Sequence, residues 1–235
     1  MAPPRATGRQ RPRRLSDAAT ARHKQAAAQA AAELVVDGMR LGLGTGSTVA
    51  YLLPALAERE LRELICVATS PATERLAREL GLTVRGLDDL HELDLAIDGA
   101  DQVDPCGWLI KGGGAAHTRE KIVAAAAGRF VVIASAEKAV AQLEPPVPLE
   151  LVRFGAHATL ARLGHARLRD GAQVSPDGGL IADYTGPIGD PRELSASLAA
   201  APGVVEHGLF APEMVSLILI AGEAGIERRP GGALA

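Results

Sequence analysis

The chain is expected to be an α/β protein: a doubly wound, mostly parallel sheet with a smaller α+β unit inserted before its last strand. Three observations predict this. Short apolar runs alternate with helical stretches from residue 17 to residue 135, the rhythm of a parallel sheet covered by helices. A proline-rich break, Glu144-Pro145-Pro146-Val147-Pro148, interrupts that rhythm. The last apolar run, 215–221, is continuous rather than alternating, as in strands buried on both faces.

Ser16 or Asp17 can cap an alanine-rich helix running to about residue 36. A strand at 39–43 ends in Gly44-Thr45-Gly46-Ser47-Thr48, and a helix opens at Ser47 with Pro54 as a kink or break. Next come a strand at 64–68 and a helix at 71–80 closed by Gly81. Strands at 82–85 and 93–97, a helix at 115–127 and a strand at 130–134 complete this part. After the break the order is strand 149–153, helix 157–163, strands 166–169 and 180–183, helix 191–200 and strand 204–208. That βαββαβ order is the ferredoxin-like arrangement. The run 215–221 is expected to return to the first, Rossmann-like sheet. The expected division is therefore 17–144 with 212–235 as the main unit and 145–211 as the small one.

Composition bounds the function. Hydrophobic residues make up 47% of the 235 and aromatics only 3%, so the core must be built from Ala, Leu, Val and Ile. A net charge of −3 gives no case for nucleic-acid or membrane binding. No apolar run approaches the roughly 18 residues of a membrane span. Residues 1–16 carry five arginines, several prolines and no acid. They read as a disordered basic tail, with a transit or nucleic-acid-binding arm as the alternatives. Cys66 and Cys106 read as reduced thiols of a cytoplasmic protein.

The stretch from residue 95 to 121 concentrates chemistry: Asp98, Asp101, Lys111, Gly112-Gly113-Gly114 and Glu120. Acids, a cation, bare backbone donors and a base are the parts for moving a proton next to a carbonyl. Each part also has a plainer reading. Asp98 and Asp101 can divide acid and base roles, cap turns, or bind a metal, although no histidine stands at ligand spacing. The glycines can permit close approach to a ligand or simply make a bend. Glu120 alone reads as a surface glutamate paired with Arg119 or Lys121. The Gly44–Thr48 turn fits a phosphate at a helix N-terminus, a plain tight turn, or a dinucleotide loop. It is not a Walker A loop, because no Gly-Lys-Ser/Thr follows. The six histidines are scattered, with His117 nearest the proposed site, and Trp108 is expected to pack under the loop.

Taken together, GLGTGST (42–48), TSPATERLAREL (69–80), DGADQ (98–102), KGGGAAHTREKIVA (111–124), IASAEK (133–138) and PGVVEHGLF (202–210) resemble ribose-5-phosphate isomerases of type A. The resemblance spans roughly residues 20–225, with the blocks in one order. It implies an aldose–ketose isomerase interconverting ribose 5-phosphate and ribulose 5-phosphate through a cis-enediolate. By it, Thr45, Gly46, Ser47 and Thr48 hold the phosphate with help from Lys24, and Lys138 contacts substrate. Asp98, Gly99, Ala100, Asp101, Lys111, Gly112, Gly113 and Gly114 surround the sugar. Glu120 is the proton acceptor, Asp98 assists at the ring oxygen, Asp101 shuttles hydroxyl protons, and Lys111 stabilises the enediolate. The resemblance implies no metal, no organic cofactor, and a homo-oligomer, dimer or tetramer. Gln102 stands where the family has an acid, which suggests tuning rather than loss. His117 replaces an apolar residue and is placed to alter the pKa of the base. The 147–151 and 175–179 segments also depart from the pattern, outside the proposed chemistry. The joint DGAD and KGGG…TRE pattern argues against a related deaminase or coenzyme A transferase. A single helix before the first strand is too little for a DNA-binding sugar-phosphate sensor.

Overall fold

The computed structural model describes residues 16–171 and 174–234. The tail expected at 1–16 falls outside them except for Ser16, which belongs to the first helix cap. Helix α1 (Asp17–Ala32) starts on Ser16, whose hydroxyl accepts the Ala19 N–H at 3.2 Å. There follow β1 (Arg40–Leu43), α2 (Val49–Ala57), β2 (Ile65–Ala68), α3 (Pro71–Glu79), β3 (Thr83–Val84), β4 (Leu95–Gly99), β5 (Gln102–Val103), β6 (Leu109–Ile110), α4 (His117–Ala125) and β7 (Phe130–Ser135). The next six elements are β8 (Val147–Leu151), α5 (Ala156–Leu163), β9 (Ala166–Leu168), β10 (Leu180–Tyr184), α6 (Pro191–Ala199) and β11 (Val204–His207). The chain closes with β12 (Leu209–Phe210), β13 (Leu217–Gly222) and β14 (Gly225–Pro230).

The main sheet has seven strands in the order β14-β13-β7-β4-β1-β2-β3. Every neighbouring pair is parallel except β13 with β14. Chain order runs outward in both directions from β1, so the topological switch point lies between β1 and β4. Ligands of open α/β sheets bind at such a point, beyond the strand C-termini. The second sheet, β11-β8-β10-β9, is antiparallel and has the expected ferredoxin-like order. A third sheet, β12-β6-β5, lies beside the switch point.

Both faces of the main sheet are buried. Leu41, Leu43, Ile97, Ile133 and Leu219 pack with Ala27, Ala28 and Ala31 of α1 and with Leu52 of α2. The alternate residues Ala96, Val132, Ala134 and Ile218 pack with Val123 and Ala124 of α4. This period-two division explains why the strands read as unbroken apolar runs. Truncating a fully buried leucine such as Leu43 to alanine would cost about 2–5 kcal/mol. Helix α4 lies close to β1 because residue 42 is glycine: a Cβ there would stand 2.4 Å from the Val123 Cγ1.

Several boundaries differ from expectation. Helix α1 stops at Ala32 rather than near 36, because Leu34 and Val35 turn onto Ala31 and Ala32 carbonyls at 3.0 and 3.1 Å. The Arg59 guanidinium caps this end, donating to the Val35 carbonyl at 2.7 Å. Pro54 neither ends nor splits α2, which continues to Ala57. Helix α4 starts at His117, since Ala115 is left-handed with φ 62°. Strands β5, β6, β12 and β14 were not expected.

Candidate active site

The phosphate-type loop is built by the switch point itself. Gly44 follows β1 where the Asp98 carboxyl lies so close that a Cβ would stand 1.9 Å from it. The Thr73 hydroxyl donates to the Gly44 carbonyl at 2.9 Å, and the Thr45 and Thr69 hydroxyls are 2.7 Å apart. Thr73 is held in turn by Ser70, which caps α3. The 69–80 block thus shapes the loop from behind. Gly46 takes φ 114°, a left-handed turn suited to glycine. The Thr48 hydroxyl does not cap α2. Ala50 and Tyr51 already donate to the Gly46 and Thr48 carbonyls at 3.0 and 3.1 Å, so the backbone donors left for an anion are those of Gly46, Ser47 and Thr48, just ahead of the helix. Lys24 of α1 donates to the Ser47 hydroxyl at 2.9 Å, bringing a cation to the loop.

At the other end of the cleft two carboxylates share one ammonium. The Lys111 Nζ lies 2.9 Å from Asp98 Oδ2 and 3.1 Å from Glu120 Oε2, and donates to the Gly99 carbonyl at 2.5 Å. All three side chains are buried. Asp98 is also held by the N–H groups of Gly99 and Thr45, at 2.7 and 3.0 Å. Burial alone would lower the Lys111 pKa, but the charges of Asp98 and Glu120 outweigh it and hold the ammonium above its ordinary value. Burial, reinforced by the Asp98 charge and opposed by Lys111, pushes Glu120 up to about 8. Burial raises Asp98 as well, against Lys111 and its two backbone donors. Asp98 has three donors and Glu120 has one, so a proton entering this cluster goes to Glu120 first.

The glycine segment 111–114 is pinned from several sides. The Lys111 N–H donates to the Gly208 carbonyl at 2.9 Å, and the Gly113 N–H to Asp101 Oδ2 at 2.8 Å. Gly112 has φ 104°, and a Cβ on it would stand 2.7 Å from the His117 ring. Arg169, just beyond β9, donates to the Gly112 and Gly113 carbonyls at 3.0 and 3.2 Å. Gly113 N–H is therefore spent on Asp101, while those of Gly112 and Gly114 have no internal acceptor among the described residues.

Helix α4 carries Glu120 and is tied to the small sheet. Thr118 donates to Glu150 of β8, which also accepts from Ser175 at 2.5 Å. Lys121 pairs with Glu206 at 2.7 Å and donates to the His207 carbonyl at 2.7 Å. The Phe210 ring lies beneath both Lys111 and Lys121, 5.5 and 4.8 Å from their ammonium groups.

Residues 45–48, 99–101 and 111–114 line one cleft, open to solvent, with Glu120 and Lys138. Two expected site residues are placed differently. Asp98 stands behind the cleft wall with both oxygens engaged, and Lys24 reaches the cleft only through Ser47. Gln102 points away, exchanging bonds of 2.7 and 2.8 Å with the backbone of Glu144. His117 is fully buried, and burial lowers it to about 4, so it brings no charge to Glu120 at neutral pH. Trp108 is buried as expected, with the Arg192 guanidinium over its ring. Arg169 and Glu150 were missed. Arg167-Leu168-Arg169-Asp170 reads as a solvated strand end, and only the fold brings Arg169 to a glycine loop 56 residues earlier.

The profile of the family described as ribose 5-phosphate isomerase A (phosphoriboisomerase A) matches residues 65–225. The chain is 48% identical over 219 residues to the ribose-5-phosphate isomerase A of Roseiflexus castenholzii, covering 87% of this chain and 93% of that one. It superimposes on the crystal structure of ribose 5 phosphate isomerase A from Neisseria gonorrhoeae with a TM-score of 0.86 and 32% identity, over 90% and 97% of the two chains. A D-ribose-5-phosphate isomerase in complex with phospho-erythronic acid gives a TM-score of 0.84 and 35% identity, over 89% and 98%. Sequence and fold agree, and the chain belongs to the ribose 5-phosphate isomerase A family.

Proposed function

We propose that the chain interconverts D-ribose 5-phosphate and D-ribulose 5-phosphate through a cis-enediolate, with Glu120 as the base. One observation carries this reading: Glu120 is a buried carboxyl raised to about 8 beside Lys111, on a cleft with an anion loop at its other end. A base works best when its pKa lies near the working pH. Glu120 comes near that condition: raised to about 8, it keeps about one carboxyl in ten ionised at pH 7 and half of them near pH 8.

The 45–48 loop and Lys24 take the phosphate. Asp101, on the cleft wall and fixed by the Gly113 N–H, serves the ring opening and the hydroxyl protons. Asp98 acts at one remove, holding Lys111 and the Thr45 peptide. Glu120 removes the C2 proton of the open-chain aldose and returns it at C1. The charge that develops on O1 and O2 meets the Lys111 ammonium and the free glycine N–H groups. The substrate's own carbonyl serves as the electron sink, so the proposal requires neither metal nor organic cofactor. A homo-oligomer, dimer or tetramer, in the cytoplasm belongs to the same proposal, and light scattering of the full chain reads its size.

The test is a coupled assay of ribose 5-phosphate to ribulose 5-phosphate with EDTA present. The parent should be active, and Glu120→Gln should lower kcat by about 10²–10⁴, the usual contribution of a positioned general base. A Glu120→Gln enzyme turning over at the parent rate would remove Glu120 from the mechanism. A folded but inactive parent would remove the activity.

A further inference from the structure

We propose that Arg169, held by Asp183, is a positioning residue that sets the glycine loop for the enediolate; this rests on the isomerase reading above. The geometry is specific. The Arg169 Nε and Nη2 bond Asp183 Oδ2 and Oδ1 at 3.0 and 2.6 Å, a two-pronged pair from β10. The remaining Nη1 donates to both the Gly112 and Gly113 carbonyls, at 3.0 and 3.2 Å. The guanidinium is planar, so fixing two of its nitrogens on Asp183 fixes the direction of the third. Both side chains are about 15% exposed, so the pair is shielded from water.

The consequence follows from peptide planarity. A carbonyl and the N–H of the next residue point in opposite directions across one peptide unit. Holding the Gly112 carbonyl aims the Gly113 N–H, which meets Asp101. Holding the Gly113 carbonyl aims the Gly114 N–H, and Gly114 lines the cleft. Glycines cannot hold these orientations themselves, because they have the widest backbone freedom. Arg169 thus supplies from the small sheet the rigidity that the glycine loop lacks. It touches neither the anion loop nor Glu120, so its effect should be confined to the reacting end of the cleft.

The experiment compares Arg169→Met and Arg169→Lys with the parent. It uses ribose 5-phosphate turnover and two inhibitors: phospho-erythronic acid, whose carboxylate resembles the enediolate, and inorganic phosphate, which probes the anion loop alone. Arg169→Met should lower kcat about 30-fold, a fraction of the 10²–10³ seen when one oxyanion donor is lost outright. The inhibition constant of phospho-erythronic acid should rise by a similar factor, with that of phosphate within twofold of the parent. Arg169→Lys, which keeps one donor, should fall between. If Arg169→Met does not fold, Arg169→Lys decides on the same split. Equal weakening of both inhibitors would mean general loosening and overturn the proposal. So would turnover and phospho-erythronic acid inhibition that stay within twofold of the parent. An inactive parent would instead sink the isomerase reading.

Discussion

The Lys111 ammonium lies 3.1 Å from the Glu120 carboxylate, with 3% and 4% of the two side chains exposed. Asp98 stands on the other side of the same ammonium at 2.9 Å. Two buried acids therefore depend on one cation. Lys111→Met would strand both, and breaking a buried ion pair from one side costs about 3–5 kcal/mol. Lower pH should relieve the loss, because Asp98 and Glu120 can then take up protons. Urea unfolding at pH 8 and pH 5.5 tests this: the deficit of Lys111→Met should shrink at the lower pH. An equal deficit at both would show that the lysine matters for packing rather than charge.

Glu120 makes the pH dependence of stability legible. Its carboxyl titrates near 4.5 in the unfolded chain and near 8 in the folded one. Between those values the folded chain holds the extra proton, so this group's stabilising contribution is lost as pH rises through the window. Glu120→Gln has no such titration. Its stability relative to the parent should therefore climb from pH 5 to pH 8 and level off above. Urea midpoints across that range report the difference, and a pH-independent difference would place the Glu120 pKa outside the window. This variant is the one expected to lose activity, so the site exchanges stability for a usable base.

Lys24 stands at the anion loop through Ser47 rather than at the reacting carbons. Binding a phosphate that does not change during the reaction is uniform binding, which appears in KM. Lys24→Met should raise KM for ribose 5-phosphate about tenfold, the lower end for a charge-assisted hydrogen bond, with kcat within twofold. Steady-state kinetics decide it. A fall in kcat at unchanged KM would move Lys24 to the chemistry.

Apart from the two-residue β3, which is legible only from its place after Gly81, the inner strands of the main sheet are legible because they are long enough to show apolar character on both faces, as in the alternating burial partners of Ala96 and Ile97. Strands β5, β6 and β12 have two residues each, too few to display any period. Strand β14 is an edge strand whose Glu227, Arg228 and Arg229 read as loop; charges there keep an edge from pairing with other chains. Among site residues, the motifs near 45, 98 and 111 are visible because each is dense in unusual residues, whereas Glu120, alone a surface glutamate between Arg119 and Lys121, stands out only through the family resemblance. The placement of Asp98 behind Lys111 is not visible, since sequence spacing does not tell a carboxylate facing a ligand from one facing a lysine. Arg169 and Glu150 act across the fold, on partners 56 and 32 residues away, and no local pattern marks such a pairing.

The link from Lys111 to Gly208 bears on how the protein is made. The lysine segment is completed by a carbonyl at residue 208 and by β12 alongside β6. A ribosome adding about 5–20 residues per second delivers those partners on the order of ten seconds after the lysine itself. During that interval the nascent chain has residues 45–48, Asp98, Asp101 and Glu120, yet not the carbonyl that receives the Lys111 N–H. A product broken off before Gly208 would carry every side chain proposed for the chemistry, with the Lys111 peptide and β6 left without these partners.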